Sequence, residues 1–343
     1  MAAPMSDLEL ETSSVEGAPE GGDPTVAIRG RSPLQLAWLR LRHDRVSLTA
    51  MLFVIFFALV AIIAPILSSA GIIDPYTFHN TGADSLVGGP GTVPNGPWGG
   101  ISTDHWFGVE PGTGRDVLSR IVLGIAFSLM IATGSVIVSC VLGMVVGIIT
   151  GYMGGVTDFF FGRFMDVILS FPQLLMLLAL SPVLKQRIAD LIGESNQGAV
   201  SVSAIYLIAV LGFFGWPYLA RIIRGQVLTL RNREFVEAAR SLGATRRRIW
   251  FRELLPNLWA PLIVYASLTL PQFIGAEAAL SYLGVGIQAP TPSLGNILND
   301  AVSWYDPDPA FFFLPGIVLV LVVLAFNMFG DGLRDALDPK SGR

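Results

Sequence analysis

A charge-free stretch runs from Ile121 to Thr157 and reads IVLGIAFSLMIATGSVIVSCVLGMVVGIITGYMGGVT. It exceeds the about 20 mostly apolar residues that a helix needs to cross the hydrocarbon core of a membrane. The whole chain shares this bias, because 52% of its 343 residues are hydrophobic and only 14% are charged. Soluble domains carry about 25% charged residues, and disordered chains are poor in apolar residues. The composition therefore excludes both classes and indicates an integral membrane protein.

Charge-free windows with a dense apolar core occur six times along the chain. They are Val46–Ile73, Ile121–Thr157, Val167–Leu184, Ser195–Ala220, Leu254–Ala276 and Pro309–Gly330. We therefore predict an all-α integral membrane protein with six transmembrane helices. The third window contains Pro172 and Pro182, so we expect a kinked span there, which neighbouring helices can tolerate.

Arginine and lysine are distributed unevenly between the segments that flank these windows. With the N-terminus inside, 18 of the 22 Lys and Arg residues fall on the inner side, and half of those 18 lie between Arg221 and Arg252. Inner loops of membrane proteins are enriched in positive charge. Both termini are therefore predicted to face the cytoplasm.

The composition also divides the chain into segments. Residues 1–32 are acidic and rich in Gly, Ser and Pro, which predicts a disordered cytoplasmic tail. Residues 33–73 hold an amphipathic juxtamembrane segment and the first span, and 74–120 form a turn-rich extracytoplasmic loop. Residues 121–338 form a core of five spans with a long cytoplasmic loop at 221–256, and 339–343 form a cytoplasmic end.

Several kinds of chemistry are absent from the sequence. Neither of the two lysines, Lys185 and Lys340, follows a glycine, so there is no nucleotide-binding P-loop. The three histidines lie far apart, which argues against a histidine metal site. No nucleophile elbow and no acid–histidine relay within the spans is found. We predict a non-enzymatic chain with no metal, no cofactor of its own and no nucleic-acid partner: either a passive pore, or a channel that a partner energises.

The loop at 234–256 reads EFVEAARSLGATRRRIWFRELLP and has its own pattern. Apolar residues make one side of a short helix: Phe235, Val236, Ala238, Ala239 and Leu242. Gly243 is placed to end that helix in the left-handed conformation, and Thr245 can cap the next one. Pro256 fits the first turn of the fifth span. The pattern predicts two helices joined by a tight corner under the membrane, where Arg246–Arg248 meet its anionic surface.

Six residues of this loop carry a resemblance to a known family: Glu237, Ala238, Ala239, Gly243, Leu255 and Pro256. Their order and spacing resemble the EAA loop of ABC importer permeases. Glu253 departs from that pattern, which has an apolar residue two positions before the Leu-Pro pair.

Three further segments narrow the resemblance to the dipeptide/oligopeptide/nickel group of these permeases, DppC/OppC type. They are GRDVLSR at 114–120, SYLGVGIQAPTPSLGN at 281–296 and AFNMFGDGLRDALDPK at 325–340. The residues singled out in the first and last segments are Gly114, Arg115, Asp116, Gly330, Asp331, Gly332 and Arg334.

The resemblance implies a type I ABC importer permease in a bacterial or archaeal plasma membrane. It implies a homologous second permease chain of the DppB/OppB type, two ATPase subunits that bind ATP and Mg, and an extracytoplasmic substrate-binding protein. The 221–256 loop would supply the coupling helix that docks on an ATPase. The implied cargo is di- or oligopeptides, with nickel or glutathione as alternatives. A gradient-driven carrier is the remote alternative, because no sodium-ligating or relay groups are visible at mid-membrane.

The sequence leaves the roles of two regions open. Glu277, Tyr282 and Gln288 are candidates for the outer mouth of a pathway, but Glu277 also fits a solvated helix end, and the loop around Gln288 also fits a plain connector. Asp331–Asp338 also fits a solvated helix end, in which Arg334 pairs with aspartates at helical spacing.

Overall fold

The computed structural model of the chain describes residues 33–81, 85–88, 92–96, 98–192 and 199–337. Within these ranges the regular structure is helical, and β-structure is limited to two isolated bridges. The predicted tail at 1–32 and the end at 339–343 lie outside the described residues. The helices are α1 Pro33–His43, α2 Arg45–Ser69, α3 Val117–Met153, α4 Gly155–Ser170, α5 Gln173–Ile192, α6 Ala199–Leu230, α7 Glu234–Ser241, α8 Arg246–Arg248, α9 Trp259–Tyr282, α10 Leu294–Val302 and α11 Pro309–Leu337.

Five helices are long and apolar enough to cross a membrane: α2, α3, α6, α9 and α11. The pair α4 and α5 also passes this test, but it is bent by 89° at its break. The bend predicted within Val167–Leu184 is present, but it is a break between two helices and not a kink within one. Pro172 disfavours the helical conformation for the residue before it, and Phe171 is extended (φ −83°, ψ 135°). The count is five spans, or six if the bent pair is one span.

Helices α3 and α6 form the most extensive contact between two helices, and glycines on both allow their close approach. A Cβ added at Gly147 of α3 would lie 2.7 Å from Cβ of Ile223. One added at Gly212 of α6 would lie 2.6 Å from Cγ1 of Val138. Small residues at four-residue spacing are a common device for packing membrane helices. This pair forms the centre of the fold, and most of the other long helices pack against α3 or α6.

The segment before α3 is folded around a buried ion cluster. Glu110 accepts hydrogen bonds from Arg115 (2.5 Å) and from Arg120, and Arg120 also reaches Asp300 of α10 at 3.3 Å. Burial raises the pKa of the Glu110 carboxyl, but the two guanidinium groups outweigh that effect and hold its pKa below the usual value. The cluster ties the 98–116 segment to α10. The described residues of 74–116 form turns and bends and no helix, in agreement with the turn-rich composition of that segment.

Candidate functional site

The α6–α9 connection begins with the short helix α7. Among the apolar residues that the sequence places on one side of it, only Val236 is buried, at 0% exposure. Val236 packs in an apolar cluster, defined here as the loop cluster, with Ile223 and Val227 of α6 and with Ile249 and Leu254. Of the other residues predicted to share that apolar side, Phe235 is 39% exposed and Leu242, which follows the helix, is 89% exposed, so the predicted side is not buried as one face. One residue therefore anchors α7, and most of its surface stays free.

The corner after α7 has the predicted geometry. Gly243 has φ +77°, which confirms the left-handed conformation. The amide of Ala244 donates to the carbonyl of Ala239 and the amide of Gly243 donates to that of Arg240, both at 3.0 Å. This is a Schellman motif, which satisfies the carbonyls at a helix end. The next helix begins at Arg246, and Thr245 caps it by accepting from the amide of Arg248 at 3.4 Å, as predicted.

The second half of the loop is one irregular helical segment that leads into α9. A single α-turn is followed by a π-helical stretch at Ile249–Leu254 and a 3₁₀ turn at Leu255–Asn257. Pro256 thus lies in the 3₁₀ turn before α9, not in its first turn. Leu255 packs against the loop cluster, which also contains Tyr265 of α9. The loop cluster includes side chains of α3, α6, α7 and α9, so α7 is packed against three spans.

Glu237 and Ala238 lie on the exposed side of α7, with Ala239 partly buried beside them. Arg246, Arg247 and Arg248 are exposed as well. The connection therefore offers a small protruding surface with little side-chain bulk, an open apolar residue at its corner and a row of cations. Such a surface can enter a groove on another protein.

A cavity of about 780 Å³ opens between the bent pair and helices α6, α9 and α11. Its wall contains Leu169, Gln173, Phe214, Gly215, Tyr218, Ile222, Pro261, Val264, Tyr265, Leu268, Thr269, Gln272, Phe273 and Arg334. The break between α4 and α5 faces this space, since Leu169 and Gln173 lie on either side of it. The sequence reading did not identify this cavity, although Gln173 and Gln272 in otherwise apolar windows were an available signal.

Glu277 differs from both roles suggested by the sequence. Its side chain is 0% exposed, so it is neither solvated nor facing open space. Ser128 of α3 donates to its carboxylate at 2.5 Å and Ser281 at 2.7 Å. Ser281 in turn accepts from the amide of Ile287 at 3.0 Å. The carboxylate thus joins α3, α9 and the 283–293 loop from within.

The other candidates for the outer mouth lie at the surface of this loop. Tyr282 is 39% exposed beside Tyr305 and Phe313, and Gln288 is exposed and donates to the carbonyl of Gly284. Asn296 holds the loop closed by donating to the carbonyls of Ile287 (3.3 Å) and Thr291 (2.7 Å). The pathway role of Tyr282 and Gln288 stays a prediction.

The family-like residues of segments 114–120 and 325–340 mostly contribute to the packing of the chain. Gly114 (φ +71°) lies directly against the carbonyl of His79, Arg115 belongs to the ion cluster, and Asp116 caps α3 by accepting from the amide of Ser119 at 2.7 Å. In α11, a Cβ at Gly330 would lie 2.9 Å from the carbonyl oxygen of Ser267.

The end of α11 is different. Gly332 packs against Ser47 of α2, whereas Asp331 is exposed. Arg334 forms no ion pair with Asp331, and Asp338 lies outside the described residues. The expected Arg334–Asp331 pairing is therefore wrong, and Arg334 faces the cavity instead. The described residues contain no group of three His, Cys, Asp or Glu side chains that could hold a metal ion.

The sequence matches two protein-family models. Residues 143–343 match the family described as "binding-protein-dependent transport system inner membrane component". The chain belongs to this family of transport permeases. Residues 32–86 match a second family, described as the N-terminal TM domain of oligopeptide transport permease C.

Individual relatives cover nearly the whole permease. The dipeptide transport system permease protein DppC of Alkalihalophilus pseudofirmus is 35% identical, with 90% of each chain covered. The glutathione transport system permease protein GsiD of Escherichia coli is 36% identical, over 90% of this chain and 91% of that one. Among solved structures, the MetNI methionine ABC transporter in an inward-facing form matches with a TM-score of 0.48 and 21% identity, over 64% of this chain and 96% of that one. The two family models and the match to DppC confirm the resemblance to DppC/OppC-type permeases.

Proposed function

We propose that this permease is the transmembrane subunit of an ATP-driven importer that takes up di- and oligopeptides delivered by a substrate-binding protein. The observation that carries the proposal is the match to a dipeptide permease across 90% of both chains. The match of residues 32–86 to the N-terminal domain of an oligopeptide permease supports it.

The chain itself is proposed to be non-catalytic. ATP and Mg would bind to two partner ATPase subunits, and a homologous DppB/OppB-type chain would complete the membrane part. The exposed side of α7, with Glu237, Ala238 and the corner at Gly243, would dock on one ATPase. ATP binding would displace α7, and the loop cluster would pass that motion to α3, α6 and α9. Coupling of this kind is a two-state rearrangement biased by a ligand on another chain.

The proposed topology is that of a type I importer permease with six spans, where the bent pair counts as one, and with both termini in the cytoplasm. Its support is the excess of Arg and Lys in the α6–α9 connection and near both ends. The proposed location is a bacterial or archaeal plasma membrane, with 74–120 outside and 221–256 inside.

Glutathione is the second candidate cargo, and the match to GsiD favours it. Glutathione is itself a small peptide, so the same architecture suits both. Nickel gains no support from the described residues, which contain no cluster of metal-ligating side chains. A gradient-driven carrier does not fit the family to which the chain belongs.

The test is uptake by vesicles that contain this chain and its co-encoded neighbours. We expect ATP-dependent accumulation of labelled di- and tripeptides in the presence of the binding protein, with no loss when ion gradients are collapsed. If glutathione stimulated the ATPase and other peptides did not, the proposed cargo would be glutathione and not peptides in general. Uptake that needs a gradient and no ATP would contradict the proposal.

A further inference from the structure

Two glutamines face the cavity from different spans. Gln173 begins α5 at the break of the bent pair, and Gln272 lies in the middle of α9. Both side chains are exposed, and neither has a hydrogen-bond partner in the described part of the chain. An unpaired amide facing lipid costs free energy, and polar groups within membrane spans usually line water-filled spaces or pathways. The two amides are therefore available to hydrogen-bond a ligand that enters the cavity.

Apart from Arg334, the residues that line the cavity carry no charge. Tyr218 adds a hydroxyl on a side chain that is 66% exposed, and Phe214 and Phe273 add aromatic surface. A carboxamide both donates and accepts hydrogen bonds, as a peptide group does, so paired amides can bind a peptide backbone whatever its side chains. A volume of about 780 Å³ lies within the usual range of ligand sites, about 300–1,000 Å³.

Charge appears at one place along the described wall. Arg334, in the last turn of α11, is the one charged residue that lines the cavity. Asp331 and Asp335 lie on the same turn but do not line it. A guanidinium binds a carboxylate well and repels cations, and an acid-free wall gives a metal ion no anionic ligand.

We propose that Gln173, Gln272 and Arg334 form a transit site for peptides, in which the two amides bind the peptide backbone and Arg334 receives the C-terminal carboxylate at the cytoplasmic end. The site rests on the proposed function and specifies its cargo: neutral or anionic peptides with a free C-terminus pass faster than amidated ones.

The experiment compares a peptide with its C-terminal amide in the reconstituted complex. The maximal uptake rate is measured at saturating peptide-loaded binding protein, so that selection by that protein does not enter. We expect Arg334→Gln to lower the rate for the free acid by about two- to five-fold, the range of an exposed ion pair, and to leave the amide unchanged. Arg334→Lys should retain most of the free-acid rate.

The glutamines and a control complete the test. Gln272→Leu and Gln173→Leu should lower the rates for the acid and the amide alike. Arg42→Gln removes an exposed cation that does not line the cavity, and it should change neither rate. An equal effect of Arg334→Gln on acid and amide, or no effect on either, would overturn the transit site. A wild-type complex that moves no peptide at all would instead overturn the proposed function.

Discussion

Replacing Gly243 by valine tests the proposed coupling role of the α6–α9 connection at the corner after α7, where the backbone geometry is most specific. Gly243 has φ +77°, and a Cβ built on it would have no neighbouring atom within 4 Å. The substitution therefore creates no clash, and its whole cost comes from the backbone. An L-residue in the left-handed conformation costs about 1–2 kcal/mol, and a β-branched residue is a clear outlier there.

The substitution should destabilise the corner between α7 and α8 and leave the spans unchanged. A destabilisation of about 1–2 kcal/mol lowers the population of a local conformation by about 5- to 30-fold relative to its alternatives. The hydrogen bonds at stake are those from Gly243 to Arg240 and from Ala244 to Ala239. We expect α7 to lose its defined end and with it the surface that is proposed to dock on the ATPase, while membrane insertion is unaffected.

The assay measures peptide uptake and peptide-stimulated ATP hydrolysis in the same vesicles. Gly243→Val should lower uptake by several-fold and reduce the uptake per ATP hydrolysed. Gly243→Asn is the matched control, because asparagine tolerates the left-handed conformation, and it should retain most of the uptake. Normal transport by Gly243→Val at an unchanged ATPase rate would refute the coupling role of this loop.

Three further predictions concern the spans and the outer region. Gly147→Ala should lower the melting temperature, because overpacking costs about 1–3 kcal/mol. The control Gly225→Ala adds a Cβ in open space and should raise stability slightly. Equal effects of the two substitutions would contradict the packing of α3 on α6. Glu277→Leu should cost about 1–3 kcal/mol by leaving buried serine hydroxyls unpaired, and Glu277→Gln should cost less, as measured by thermal unfolding in detergent. The pKa of Glu110 is lower in the folded than in the unfolded chain, so the carboxylate stabilises the fold fully at a pH above its unfolded pKa. This contribution to the free energy of unfolding should be lost as the pH falls below about 4. Glu110→Gln should be less stable at neutral pH, and its stability should not show this loss at acid pH.

Local patterns in the sequence were sufficient for most of the long helices and for the corner after α7. A charge-free apolar window specifies a span by itself, since the bilayer requires its length and composition. Gly243 and Thr245 specify the end of one helix and the start of the next through bonds that reach only a few residues along the chain. The four family-like segments were likewise sufficient for the family.

Features that depend on contacts between residues far apart in the sequence could be found only from the tertiary structure. Ser128 and Glu277 are 149 positions apart, and Arg120 and Asp300 are 180 apart, so neither pair leaves a trace in local pattern. Pro172 predicted a kink, but the 89° bend depends on how α4 and α5 pack against α6. The cavity also depends on tertiary packing, because Gln173 and Arg334 face one space only when five helices have assembled: α4, α5, α6, α9 and α11. Sequence alone therefore determined the spans and the loop that would meet a partner, whereas the tertiary structure decided which polar groups are buried and which face the cavity.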